Sequence, residues 1–209
     1  MANQAGKPDI HTKRMLLSEK PKLLFVHIYK NAGTSIRRAF LKAGVLDESK
    51  DRGLHGHATA AEIARFIGEE AFRGYLSCAV VRNPWDWQVS LYRYTLDKPN
   101  HHQHEFVKAL GSFEAYLDWR CAEEVRLQKS FLIGDDGTCL VNRLLRFETL
   151  AKDFGALCAE LCMDLSLPHL NASQRSPWRD CYDDRLFELV RETFAEDIAY
   201  LGYEDCSLP

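Results

Sequence analysis

The chain has 209 residues, of which 46% are hydrophobic and 27% charged, an ordinary composition for one domain with a substantial core. Its formal net charge of −3 gives no global attraction to nucleic acid or to an anionic membrane, so any anion site must be built locally. The opening residues lack the apolar stretch of a secretory signal, and no later run approaches the ~20 apolar residues of a membrane span; a cytoplasmic protein without a membrane span or a nucleic-acid partner is expected.

Residues 1–21 are polar and closed off by Pro21, and are read as a loosely held arm, with the folded domain expected over 22–209. Leu23 to Ile28 reads LLFVHI, a short apolar run with the composition of a buried parallel strand. The segment YKNAG breaks it, and TSIRRAFLKAG continues as a helix. Thr59 and Glu62 have capping-box spacing, so a second helix is predicted to start there and to carry Ile63 and Phe66 toward the core. Residues 75–81, YLSCAVV, form a second buried-strand pattern, ended by Arg82-Asn83-Pro84 and followed by a helix from Trp85 to Tyr94.

Asp97 to Glu105 is polar and rich in histidine, and Phe106 to Arg126 has helical spacing, consistent with an insertion over the sheet. After the turn Asp135-Asp136-Gly137, CLV and RLLRF are read as short strands. Leu150, Phe154, Leu157 and Leu161 then mark an amphipathic helix, and Leu186 to Leu201 a last one. The seven cysteines contain no CxxC pair and are read as thiols, with Cys158 and Cys162 able to share a helix face as a core pair. Strand–loop–helix units in succession predict an α/β fold: one domain with a central parallel sheet flanked by helices and ligands at the carboxyl ends of its strands.

Three segments carry chemistry. Tyr29-Lys30-Asn31-Ala32-Gly33-Thr34-Ser35 stands where a strand ends and a helix begins, where backbone N–H groups and the positive helix end can hold a phosphate. Gly33 permits close backbone approach, Thr34 and Ser35 add hydroxyl donors, and Lys30 adds an ammonium. The same segment also serves as a plain strand-to-helix turn with Thr34 or Ser35 as its cap. A Walker A loop requires GxxxxGK[ST], which is not present. Arg82 offers a planar fork of donors suited to phosphate, and Ser90 lies on the helix that follows. Leu54-His55-Gly56-His57 places two imidazoles just before a helix, and an imidazole titrates close enough to neutrality to take a hydroxyl proton. His57 is favoured as base, with His55 assisting or orienting the acceptor. His27, inside an apolar strand, is read as a core residue, and His101, His102 and His104 as a solvated loop rather than a metal site. Trp85 and Trp87 are read as packing residues.

FVHIYKNAGTSIRRAF resembles the 5′-phosphosulfate loop of the sulfotransferase family that includes the heparan sulfate 2-O-sulfotransferases and many bacterial relatives, whose usual form is FVHIPKTAGTS. Tyr29 stands where that family has proline and Asn31 where it has threonine, with Lys30, Gly33, Thr34 and Ser35 in register. VVRNPWDWQVSLYRY is similar to the same family's 3′-phosphate motif, with Arg82 and Ser90 in the gripping positions and Arg93 a weaker match. The segment HGH resembles the one that supplies that branch's catalytic histidine. Weaker likenesses in LRFETL, LPHLNAS and DIAYLGYE extend the resemblance over about 22–204.

The resemblance implies a P-loop-like fold and transfer of a sulfuryl group from 3′-phosphoadenosine 5′-phosphosulfate (PAPS) to an acceptor hydroxyl, a saccharide by family analogy, leaving adenosine 3′,5′-bisphosphate. It implies that Lys30 stabilises the departing phosphate and that residues 30–35, Arg82 and Ser90 bind the nucleotide. Arg175 is added as a nucleotide contact from the loop that closes over it in related enzymes. No metal is expected, because a sulfuryl group carries less charge than a phosphoryl group and lysine with backbone donors suffices. Two other readings stand beside this one: a small-molecule kinase on a phosphate-loop fold, dependent on magnesium, and a non-catalytic nucleotide-binding protein.

Overall fold

A computed structural model describes residues 15–45, 54–167 and 177–206. The predicted nucleotide contact Arg175 falls outside these residues, as does most of the N-terminal segment. The described chain is an α/β domain built on a four-stranded open sheet in the order β1 (Leu16–Glu19), β2 (Lys22–Val26), β3 (Leu76–Val81), β4 (Arg143–Arg146). Strands β2, β3 and β4 are parallel, with Val26 opposite Ala79 and Val81 opposite Arg146. The expected all-parallel sheet is in fact mixed. Strand β1 folds back antiparallel on β2 through a tight turn at Lys20-Pro21, with Leu16 opposite Phe25 and Glu19 opposite Lys22. The predicted loose arm thus gives way at residues 16–19 to an edge strand, held because Leu16 buries its side chain on the same face as Phe25.

The central strands read as continuous apolar runs because both of their faces are covered. Leu23, Phe25, Cys78, Val80 and Leu145 meet one helical layer, formed by α1 (Gly33–Lys42) and α7 (Leu150–Glu160) through Ile36, Phe40, Phe154 and Leu157. Leu24, Val26, Ala79 and Val81 face the other layer. That layer holds α2 (Ala60–Ile67), α3 (Glu69–Arg73) and α4 (Pro84–Leu96). It also holds α6 (Phe113–Glu123), α8 (Asp184–Thr193) and α9 (Ala195–Leu201), while α5 (His104–Leu110) precedes α6. The alternation along each strand follows from the two-residue side-chain period of extended backbone.

Several local readings change. The last helix is two, broken at Phe194, which is itself fully buried. The residues CLV form no strand, only a single antiparallel bridge between Cys139 and Ile133. Phe66 is 50% exposed because the inward face of α2 is made by Ala60, Ile63, Ala64 and Ile67, and position 66 lies to one side of that stripe. Cys162 lies past the end of α7 and is exposed, while Cys158 is buried, so the two do not form a core pair. All seven cysteines are free thiols. No helix among the described residues is long and apolar enough to cross a membrane.

Candidate functional site

Because β2, β3 and β4 are parallel neighbours, the segments that leave their carboxyl ends emerge along one edge of the sheet. The first turn runs from His27 to Ala32 and delivers the chain into α1. Two of its non-glycine residues, Lys30 (φ 64°) and Ala32 (φ 56°), adopt the left-handed conformation. Such residues are uncommon and cost roughly 1–2 kcal/mol each, so the surrounding structure must hold them. Ala32 is also the residue from which α1 starts, and no side chain caps that helix. The expected cap, Thr34 or Ser35, is instead inside the first turn of the helix; Thr34 is exposed and Ser35 is buried. Gly33 is required by close approach, since a Cβ there would stand 1.9 Å from the His27 imidazole.

The anchor of this turn is Asn31, which is fully buried. Its side-chain amide donates to the Val80 carbonyl (2.9 Å) and to Gln128 Oε1 (2.8 Å). Its own carbonyl oxygen has no partner among the described residues. The Lys30 ammonium lies 3.7 Å from the centroid of the Tyr94 ring, a cation–π contact, and Tyr94 in turn meets the edge of His101.

The second turn, Arg82-Asn83, delivers β3 into α4 and is satisfied throughout. The Asn83 side chain accepts from the N–H groups of Trp85 (3.0 Å) and Asp86 (3.2 Å), with Pro84 at the first helical position. The Asn83 N–H donates to Glu148 (2.7 Å), whose other oxygen accepts from the Tyr203 hydroxyl (2.9 Å). The Arg82 guanidinium donates to Asp86 (2.7 Å) and to the Lys30 carbonyl (3.1 Å), and its plane lies 3.8 Å from the centroid of the Phe147 ring. It is therefore a strut between the two turns and only 11% exposed. Ser90 is buried one to two turns into α4. Arg93 reaches the Cys181 thiol (3.3 Å) instead of the turns.

The histidine segment arrives at the same edge. Thr59 and Glu62 form the predicted capping box, each side chain bonding the other's backbone N–H, which fixes where the chain enters α2. Accepting the Thr59 backbone N–H is the main reason the Glu62 carboxyl is held below its ordinary range. Just upstream, His57 Nδ1 lies 2.9 Å from the His27 carbonyl, and its ring centroid is 4.4 Å from that of His27 and 5.9 Å from that of Tyr29. A carbonyl only accepts, so Nδ1 carries the proton of this bond and Nε2 is the basic nitrogen of the neutral ring. His55 is exposed, and its Nδ1 accepts from the His57 N–H (3.3 Å).

Tyr29 forms a wall beside His57. Its ring stacks on Trp87 (5.1 Å), whose indole N–H donates to the Tyr29 carbonyl (2.8 Å). Burial pushes the Tyr29 phenol up, against the opposing charges of Arg120 and Arg126. Trp85 and Trp87 are both buried, matching their reading as packing residues. His104, read as solvated, is buried at the start of α5 with Nδ1 2.9 Å from the Thr95 carbonyl. Among the described residues, no group of three or more His, Cys, Asp or Glu side chains is arranged to hold a metal ion.

The structure thus brings Lys30, Asn31, the start of α1, Arg82 and His57 to one sheet edge, with His55 beside them. Sequence reasoning missed Gln128, Tyr94, Asp86 and Phe147. The spacing of Arg82 and Asp86 at i and i+4 was the one local signal among these. No family model matches the chain, and no curated protein does.

Proposed function

We propose that the chain is a sulfotransferase that moves a sulfuryl group from PAPS to an acceptor hydroxyl, with His57 as general base. The observation that carries this reading is the joining of two strand-to-helix turns on adjacent parallel strands, through the 3.1 Å bond from Arg82 to the Lys30 carbonyl, with His57 bonded to the strand end that leads into the first turn. The motif resemblance of both turns and of HGH supports it. Saccharide hydroxyls are the acceptors that the same resemblance implies.

The first turn fits an anion well. An uncapped start of a ten-residue helix, a glycine in close contact and an adjacent ammonium are complementary to a phosphate-like group. The second turn fits less freely. Arg82 uses two of the five N–H groups that a guanidinium carries, and Asp86 offsets its charge, so a 3′-phosphate competes with that carboxylate for the fork. Ser90, buried on α4, contributes only where the ligand reaches past the turn.

When bound, PAPS supplies an activated sulfuryl group on a phosphate leaving group. His57 Nε2 takes the proton from the acceptor hydroxyl while the acceptor oxygen bonds to sulfur and the sulfur–phosphate oxygen bond breaks. The bond from Nδ1 to the His27 carbonyl holds the ring in the tautomer this requires. Lys30 offsets the charge that develops on the leaving phosphate, after moving off the Tyr94 ring where its ammonium rests. His55 orients His57 through the backbone of the turn.

Transfer of labelled sulfate from PAPS to a panel of hydroxylated acceptors tests the reading, with Lys30→Ala and His57→Ala run in parallel. A loss of about 10²–10⁴-fold is expected for His57→Ala, the range for a positioned general base. Undiminished activity in both variants removes the mechanism. Thermal stabilisation by ATP with magnesium, and not by adenosine 3′,5′-bisphosphate, replaces this reading with the kinase one.

A further inference from the structure

The two turns are joined a second time, by a residue that belongs to neither. Gln128 lies between α6 and the short helical turn Lys129–Phe131, and it is fully buried. Its Oε1 accepts from Asn31 Nδ2 (2.8 Å) in the first turn and from the Arg82 N–H (3.0 Å) in the second. Its Nε2 donates to the Arg82 carbonyl (2.7 Å). One carboxamide therefore pairs with both backbone groups of Arg82, much as a neighbouring strand would, and holds the anchor of the other turn at the same time.

Gln128 is itself held from behind. Its backbone N–H donates to one oxygen of Asp197 (2.7 Å), and the Lys129 N–H donates to the other (2.8 Å). Asp197 is fully buried on α9, like Gln128 and Asn31. Burial raises its carboxyl to about 6 despite those two donors. Three fully buried polar side chains are costly to desolvate, and Gln128 stands in a segment whose Leu127, Phe131 and Leu132 belong to the apolar core. A polar chain running from α9 to two separate turns has a geometric consequence that an apolar one lacks: it fixes the distance between those turns.

We infer that Gln128 is a positioning residue that sets the separation of the two turns, and through it the spacing between two anionic groups that one ligand presents. This inference rests on the sulfotransferase reading, in which the first turn takes the 5′ group and the second the 3′-phosphate of the nucleotide. Gln128 touches neither group. It acts through Asn31 and Arg82.

The test compares the wild type with Gln128→Met, which keeps length and apolar bulk but makes none of the three bonds, and with Asn31→Ala, which cuts the link to the first turn together with the bond to the Val80 carbonyl. Each is titrated calorimetrically with adenosine 3′,5′-bisphosphate, adenosine 5′-monophosphate and adenosine 3′-monophosphate. In Gln128→Met the bisphosphate affinity is expected to fall by about tenfold, while each monophosphate, which engages one turn, changes by less than about threefold. Asn31→Ala is expected to lose the same selectivity, and it carries the test alone if Gln128→Met does not fold.

A preference for the bisphosphate that survives in the folded variants overturns the inference and leaves the proposed function standing. A parallel loss for all three ligands overturns it also, because that is what a purely structural glutamine produces. A wild type with no preference for the bisphosphate removes the proposed function, and the inference with it.

Discussion

The two turns at the sheet edge are built on opposite plans. The one after β3 is satisfied: Asn83 caps α4, Pro84 occupies the first helical position, and Glu148 takes the Asn83 N–H. The one after β2 has no side-chain cap, places Lys30 and Ala32 in left-handed backbone, and is held in place by the buried Asn31. A turn that caps its own helix asks less of its surroundings, although Glu148 and Gln128 still pair the backbone of this one. A turn that leaves a helix start uncapped and keeps a costly backbone is sustained by its surroundings, and that is the pattern expected where a ligand completes the bonding. Under the proposed reading, the first turn is the one left open for a ligand, and Arg82 of the second is already committed to Asp86 and to the Lys30 carbonyl.

The largest expected effect breaks the first turn at Gly33. Gly33→Ala sets a methyl group 1.9–2.6 Å from three atoms of the His27 ring, and the ring is confined between Phe25 and His57. A loss of about 3 kcal/mol in denaturant unfolding is expected, at the upper end for overpacking. Removing the ring relieves the clash, so Gly33→Ala made in a His27→Ala background is expected to cost less than about 1 kcal/mol. Equal costs in the two backgrounds place the constraint elsewhere.

The support behind the turns is probed by pH. The Asp197 carboxyl is raised from an ordinary 3.8 to about 6, chiefly by burial, so the folded protein binds a proton there that the unfolded chain has already released. Between those two values the native state holds the extra proton, and the contribution of this group to stability falls as pH rises through the window, by about 3 kcal/mol in all, before levelling off. Asp197→Asn does not titrate. The difference in unfolding free energy between wild type and variant is expected to move toward the variant from pH 4 to pH 7, and a difference that stays constant shows that burial does not govern Asp197.

How much of this was legible depended on the distance over which each feature is encoded. Strands β2 and β3 stood out because burial on both faces leaves an unbroken apolar run, and α2 because its capping box is four residues long. Strand β1 did not, since LLSE is short and its role depends on pairing with β2. The break at Phe194 was hidden because the apolar stripe runs through it, and both halves bury the same face. At the site, each turn was readable from contiguous residues. Gln128 and Asp197 were not, because their partners lie 46 to 97 residues away in sequence and nothing local separates a buried glutamine or aspartate from a solvated one. The state of Arg82 was half legible: the fork was plain, but Asp86 and the Lys30 carbonyl that occupy it were not.

The smallest effects make the sharpest comparison, because matched changes at the two helix starts are expected to have opposite signs. Asn83→Ala removes a side chain that accepts two backbone N–H groups at the start of α4, and a loss of about 1 kcal/mol is expected. Ala32→Gly, at the start of α1, removes no cap. It replaces a residue held at φ 56°, where a Cβ is unfavourable, with one that adopts that backbone freely. The gain is partly cancelled by the greater freedom of glycine in the unfolded chain, leaving a stabilisation of about 0.5 kcal/mol. Unfolding midpoints measured together decide the matter. Opposite signs mean that the first turn carries strain its own side chains do not offset. Destabilisation by both substitutions means that the Ala32 methyl packs well enough to outweigh its backbone, and the first turn then carries no net strain.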